Sequence, residues 1–159
     1  PYGVSKSAME MMARQFHLNY GMDFIFPRLF IHLGPDHPPV TAIQNFASQI
    51  AAIKLNLQSP IIKVGNLETA RDFVDVRDGV KALWLLAQKG ISGEVYNICT
   101  GKAYTMKESL DYLIKISGVN VNIEKDKNLF RPSDEKILLG DATKINLLGW
   151  KAEISFEQT

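Results

Sequence analysis

A tyrosine and a lysine stand four residues apart at the start of the chain, in "PYGVSK" (Tyr2 and Lys6). On a helix that spacing sets both side chains on one face. A phenol with an ordinary pKa near 10 exchanges protons poorly at neutral pH, but an adjacent ammonium favours its ionised form and draws the pKa down. Such a pair can give a proton to, or take one from, a carbinol or carbonyl oxygen. The spelling alone is weak evidence, since about 0.4 copies are expected by chance at this composition. An exposed Tyr beside a surface Lys on an amphipathic helix reads the same way, so the neighbouring elements must decide.

Those elements alternate between helix and strand. Met9, Met12, Ala13, Phe16 and Tyr20 recur at helical spacing from Ser5 to Tyr20, and Gly21 is the expected stop. "FIFPRLFIHLGP" is apolar and β-favouring on both sides of Arg28 and reads as one buried strand ending at Gly34-Pro35. Ile43, Phe46, Ala47, Ile50, Ile53 and Leu57 form the stripe of a second helix. "PIIKVG" and "ARDFVDV" read as strands, and Asp75 or Asp78 caps a helix carrying Val80, Leu83, Trp84 and Ala87. "EVYNI" is the next strand, and Thr105 with Glu108 forms a capping box for a helix through Leu110 and Leu113 to Gly118. "VNVNIE" alternates like a strand with one wet face, "KILLG" is a strand, and Asp141 caps a short helix stopped by Gly149. Ser155 and Gln158 stand in capping-box register with almost no helix after them, so the chain is expected to continue beyond Thr159 as well as before Pro1.

Composition removes several function classes. The 46% hydrophobic and 22% charged fractions are those of a globular protein with a full core. Eighteen Lys and Arg against seventeen Asp and Glu leave a net charge of +1, without the basic excess of a general nucleic-acid binder. Cys99 stands alone, which excludes an internal disulfide framework and a four-cysteine metal site and suits a reducing cytoplasm. His17 and His37 show no metal-ligand spacing with each other or with Cys99, so no metal is expected. No apolar run approaches the roughly 20 residues that cross a bilayer.

The Tyr-x-x-x-Lys pattern leads through a helix into Arg28, Phe30, His32, Gly34 and Pro35, and in this order the chain resembles the extended short-chain dehydrogenase/reductases. "VGNLETARDFVDVRDGVKALWLL", "GEVYNICTGKAYTMKESLD" and "RPSDEKILLGDATKINLLGWKAEISFEQT" narrow the resemblance to the GDP-sugar branch, the GDP-mannose 4,6-dehydratases and the reductases of GDP-4-keto-6-deoxy-D-mannose. It covers essentially the whole chain and is greatest toward the reductases that form GDP-D-rhamnose.

The resemblance implies an α/β fold, the C-terminal half of a Rossmann-type enzyme with a smaller α/β substrate-binding domain. Segments 1–33 and 72–98 would complete the dinucleotide-binding domain, and 34–71 with 99–159 would form the sugar-nucleotide domain. It implies NADP or NAD, with Tyr2 facing the reacting oxygen, Lys6 on the cofactor's ribose, and Leu29 and His32 lining the cofactor site. A lone His near a strand end is otherwise more often structural. A catalytic Ser or Thr and the Gly-rich dinucleotide turn would lie upstream of Pro1, so this piece alone is expected to be a poor enzyme with an exposed sheet edge.

For the substrate, the resemblance implies that Arg71 and Arg131 grip a diphosphate, which suits planar guanidinium donors. Asp134 would take ribose hydroxyls, and Val64, Gly65 and Asn66 would line the nucleotide pocket by backbone and amide contacts. The plainer alternatives are ion pairs of Arg71 with Asp72 or Glu68, and of Arg131 with Asp134. Three positions depart from the family pattern: Ile31 for Asn, Ile50 where dehydratases show Lys, and Asp134 for the more frequent Glu. The expected activity is reduction of the C4 ketone of GDP-4-keto-6-deoxy-D-mannose, with a GDP-mannose 4,6-dehydratase and a non-catalytic sugar-nucleotide-binding fragment as alternatives. A homodimer is also implied, with Met9 to Phe16 either its interface or ordinary core.

Overall fold

Local signals set most of the elements. The structure, a computed structural model, describes residues 1–130 and 135–159. In chain order the elements are α1 (Tyr2–Tyr20), β1 (Phe26–Leu29), β2 (Ile31–Leu33), α2 (Ala42–Lys54), β3 (Ile61–Val64), β4 (Ala70–Asp75), α3 (Val76–Lys89), β5 (Val95–Ile98), β6 (Ala103–Thr105), α4 (Met106–Ser117), β7 (Asn122–Lys125), β8 (Ile137–Leu138) and α5 (Thr143–Asn146), with a 3-10 turn at Lys127–Leu129. Helix α1 stops at Gly21 in the left-handed region, φ 64°, a conformation that costs glycine nothing. Asp75 caps α3 by accepting from the Arg77 N–H, and Thr105 and Glu108 complete both bonds of the capping box on α4. Ser155 and Gln158 make the reciprocal bonds of a second box.

Strand β4 is the hub. Its first half lies between β6, antiparallel, and β8, parallel; its second half pairs in parallel with β2, Ile31 opposite Phe73 and Leu33 opposite Asp75. β1 pairs in parallel with β5, and β3 with β7. Two apolar clusters meet at β4. Phe73 faces one, with Leu33, Phe46, Ile50, Ile62, Val64 and Leu110; Val74 faces the other, with Ala82, Leu86, Tyr96, Ile98, Ile145 and Trp150. The alternation of a strand's side chains assigns the two neighbours to opposite cores.

Three expectations change. The stretch 24–35 is two strands with different partners, not one buried strand: Phe26 and Leu33 are buried, while Arg28 and Leu29 are open to solvent. The chain crosses from the β5 side to the β4 side at Phe30, and the second edge of β1 has no strand partner among the described residues. In α3 the inner face is Asp78, Gly79, Ala82 and Leu86, whereas Val80, Leu83, Trp84 and Ala87 point outward. In β7 all four residues are exposed; Val119 and Val121 just before it carry the packing. The Met9 to Phe16 stripe enters no core in this chain, since no residue of α1 is buried. Among the described residues no helix is long and apolar enough to cross a membrane.

Candidate active site

Helix α1 presents Tyr2 and Lys6 together, as their spacing requires. Both are exposed, and the Lys6 ammonium lies 5.5 Å from the Tyr2 ring centroid, within reach of a cation–π contact. Leu29 ends β1 and is 54% exposed. His32, in the middle of β2, is half-buried; its Nδ1 meets the Phe30 carbonyl at 2.8 Å. Its Nε2 is buried without a hydrogen-bond partner among the described residues, and the ring lies so close over Gly79 of α3 that a Cβ there would overlap it. The absence of a Cβ at Gly79 thus leaves the space that this imidazole occupies.

A cleft of about 470 Å³ opens beside the other core. It is lined by Ile31 of β2, Thr41 and Asn45 at the start of α2, and Gly65, Asn66 and Arg71 on and before β4, among others. Thr41 is the N-cap of α2 but makes no side-chain cap bond, its hydroxyl turning instead to Gln44. The first turn of α2 lines the cleft through Thr41, Ala42, Ile43 and Asn45, and the unpaired N–H groups of a helix start favour anions. Arg71 reaches the same cleft, and its guanidinium donates to the carbonyls of Ala70 and Glu135, both at 2.8 Å. Neither Asp72 nor Glu68 is the partner in those bonds. Asn66 locks the turn by accepting from the Glu68 N–H at 3.0 Å. Gly65 is fixed by close approach: a Cβ would come within 2.6 Å of the Leu129 carbonyl oxygen. Val64 is fully buried in the core and, unlike Gly65 and Asn66, does not line this cleft. Arg131 and Asp134 lie outside the described residues.

The departures at 31 and 50 differ in consequence. Ile31 lines the cleft and makes that wall apolar, while Ile50 is buried in the core and is not itself a lining residue.

Sequence reasoning offered Asp75 or Asp78 as a helix cap and Asp72 as an ion-pair partner, and missed that the three aspartates of "ARDFVDVRD" anchor the chain that follows. Asp72 is fully buried and accepts from the Thr100 N–H (2.8 Å) and hydroxyl (2.6 Å) on one oxygen, and from the Gly101 (2.9 Å) and Gly140 (3.3 Å) N–H groups on the other. Asp75 takes both the Arg77 guanidinium and the Thr159 hydroxyl, and Arg77 holds its carboxyl well below the usual carboxylate range. Asp78, also fully buried, accepts from the Glu153 and Ile154 N–H groups at 2.8 Å each. One short segment thus anchors three separate stretches of the C-terminal chain. The available signal was charge inside an apolar strand, which must be paired to be tolerated. Cys99 is buried beside Asp72, and burial followed by that negative charge pushes its thiol up to about 11. Among the described residues no group of three His, Cys, Asp or Glu is arranged to hold a metal ion.

Comparison with known proteins gives these features a setting. The family model described as GDP-mannose 4,6 dehydratase matches residues 1–159. A GDP-6-deoxy-D-mannose reductase of Pseudomonas aeruginosa is 33% identical over 160 residues, covering 100% of this chain and 53% of the relative. A GDP-mannose 4,6 dehydratase of Arabidopsis thaliana is 32% identical over 161 residues, 99% of this chain and 44% of the relative. The solved structure of RMD from Pseudomonas aeruginosa complexed with NADPH superposes with a TM-score of 0.92 at 33% identity, over 99% of this chain and 52% of that one. The chain spans about half the length of the relatives it matches.

Proposed function

Because the chain belongs to the GDP-mannose 4,6 dehydratase family, we propose that the full-length protein reduces the C4 ketone of GDP-4-keto-6-deoxy-D-mannose to GDP-D-rhamnose with NADPH or NADH. The observation that carries this reading is the cleft that gathers Arg71, Asn66 and Gly65 at the α2 N-terminus, a chemistry suited to a diphosphate. The cofactor fits the residues present: the Tyr2 and Lys6 face is open, and Leu29 is exposed at the carboxyl end of a parallel strand, where open α/β sheets receive ligands. Lys6 holds the ribose, and Leu29 and His32 line the site. When bound, the nicotinamide supplies the electron pair of the reduction.

The remaining work falls to the chain's own groups. Tyr2 gives its phenolic proton to the C4 oxygen as negative charge develops there, and the Lys6 ammonium keeps the resulting phenolate stable. Arg71 and Arg131 hold the diphosphate, Asp134 the ribose hydroxyls, and Val64, Gly65 and Asn66 the nucleotide. Binding energy taken far from C4 orients the ketone against Tyr2. Residues 1–33 and 72–98 serve the dinucleotide side, and 34–71 with 99–159 the sugar-nucleotide side. The exposed Met9, Met12 and Phe16 support pairing of two copies through α1.

The similarity to an Arabidopsis dehydratase supports a second reading, conversion of GDP-mannose with the cofactor retained. The test mixes full-length protein with GDP-4-keto-6-deoxymannose and NADPH and follows NADPH absorbance. Ketosugar-dependent loss is expected, and Tyr2→Phe should abolish it while GDP still binds. No loss, together with conversion of GDP-mannose, makes the protein a dehydratase; silence in both assays leaves a sugar-nucleotide-binding module.

A further inference from the structure

Helix α1 bears the Tyr2 and Lys6 pair, yet none of its 19 residues is buried. A helix is ordinarily held in rotation by an apolar stripe against the core. Here the large apolar side chains, Met9, Met11, Met12, Phe16 and Leu18, are all exposed. The residues of α1 that are half-buried are Glu10, Ala13 and His17. Together with Tyr2 and Lys6 they form one stripe, with steps of four, four, three and four residues, so whatever fixes Glu10 and His17 also fixes the direction of Tyr2 and Lys6.

Within this chain two polar contacts tie that stripe down. Glu10 meets Arg28 of β1 in a two-point ion pair, Nη2 to Oε1 at 2.7 Å and Nε to Oε2 at 3.0 Å. About two turns further on, His17 Nδ1 lies 2.8 Å from the Met22 carbonyl and 3.3 Å from the Ser92 hydroxyl, with its ring over Gly93. Gly93 precedes β5, and Arg28 stands one residue from the end of β1, so α1 runs against the strand direction with its first turn toward the strands' carboxyl ends. At 1.5 Å per residue, Lys6 stands about 6 Å and Tyr2 about 12 Å beyond Glu10 along the helix axis.

We propose that Glu10, through Arg28, is a positioning residue that locks the rotation and height of α1 on β1 and so aims Tyr2 and Lys6 at the reacting oxygen. This rests on the proton-donor role given to Tyr2 above. The geometry is specific: two parallel bonds from a planar guanidinium fix an angle as well as a distance, which a lysine cannot do. Each partner also reinforces the other's charge, Arg28 lowering the Glu10 carboxyl pKa and Glu10 raising that of Arg28. The pair is partly exposed, with side-chain exposures of 57% for Arg28 and 28% for Glu10, and so adds little to stability. Its effect is directional.

The test uses the full-length protein and compares wild type, Glu10→Gln, Arg28→Lys, the reversed pair Glu10→Arg with Arg28→Glu, and Tyr2→Phe. Misplacement of a reacting group by about 1 Å costs about 100-fold in rate. Each single variant should therefore lower kcat by about 10- to 100-fold with KM for the ketosugar and the melting temperature nearly unchanged, and the reversed pair should recover most of the loss. Single variants within twofold of wild-type kcat, or losses that follow the melting temperature and are not recovered by reversal, overturn the proposal. Hydrogen exchange at the α1 amides separates this failure from failure of the functional reading. Faster exchange in Glu10→Gln, with turnover untouched by Tyr2→Phe, leaves the clamp standing and removes the role of Tyr2. Unchanged exchange removes the clamp.

Discussion

The buried carboxylates of β4 and α3 give a prediction that depends on which oxygens are used. Asp72 accepts on both: Thr100 N–H and hydroxyl on Oδ1, Gly101 and Gly140 N–H on Oδ2. An asparagine has one acceptor oxygen, so Asp72→Asn must turn its amide NH₂ toward one of these donor sets. The better choice faces Thr100, whose hydroxyl rotates to accept, but the Thr100 N–H is then left buried and unpaired, at a cost of about 1–3 kcal/mol. The bonds that survive lose their charge assistance, bringing the total to about 3 kcal/mol. Asp78 differs, because both backbone donors, Glu153 and Ile154, use Oδ2 alone, while Oδ1 meets Lys81 at 3.3 Å and Lys81 keeps Glu153 as a second partner. Asp78→Asn retains the two backbone bonds and should cost about 1 kcal/mol. At roughly 2 °C per kcal/mol for a domain of the size of the intact protein, thermal melts should fall by about 6 °C and about 2 °C respectively. Equal shifts in the two variants, or an Asp72→Asn shift below about 2 °C, refute the reasoning.

Two further perturbations test the packing and charge around the same site. Arg77 and Thr159 hold the Asp75 carboxyl well below its unfolded pKa of about 4, so this stabilisation is fully present above pH 4 and drains away as the pH falls below it; Asp75→Asn should melt lower than wild type at pH 7, with the gap closing in melts taken from pH 4 toward pH 2, and a gap independent of pH contradicts the assignment. Gly79→Ala drives a Cβ into the His32 ring and should cost about 1–3 kcal/mol by overpacking; restoration of the melting temperature in Gly79→Ala with His32→Ala checks that the ring is the obstacle.

The sequence by itself determined what is complete within a few residues of chain. The capping box of Thr105 and Glu108, the cap at Asp75, one of the two aspartates the sequence offered, the left-handed stops at Gly21 and Gly118, and the shared face of Tyr2 and Lys6 are all closed by contacts spanning two to four positions. The family was legible for a related reason, since it resides in the joint order of short blocks. The tertiary structure decided what depends on distant partners. Residues 24–35 became two strands because β5 and β4 claim different halves, and α3 turned Asp78 and Gly79 inward because the Glu153 and Ile154 N–H groups and the His32 ring meet them there. The partners of Asp72 lie 28 to 68 residues away, and Arg28 finds Glu10 across 18, separations at which no local pattern can name a partner. Hydrophobic periodicity fails for α3 on the same ground: its inward face is chosen by the polar contacts of Asp78 and by the His32 ring over Gly79, not by the apolar residues that mark the helix.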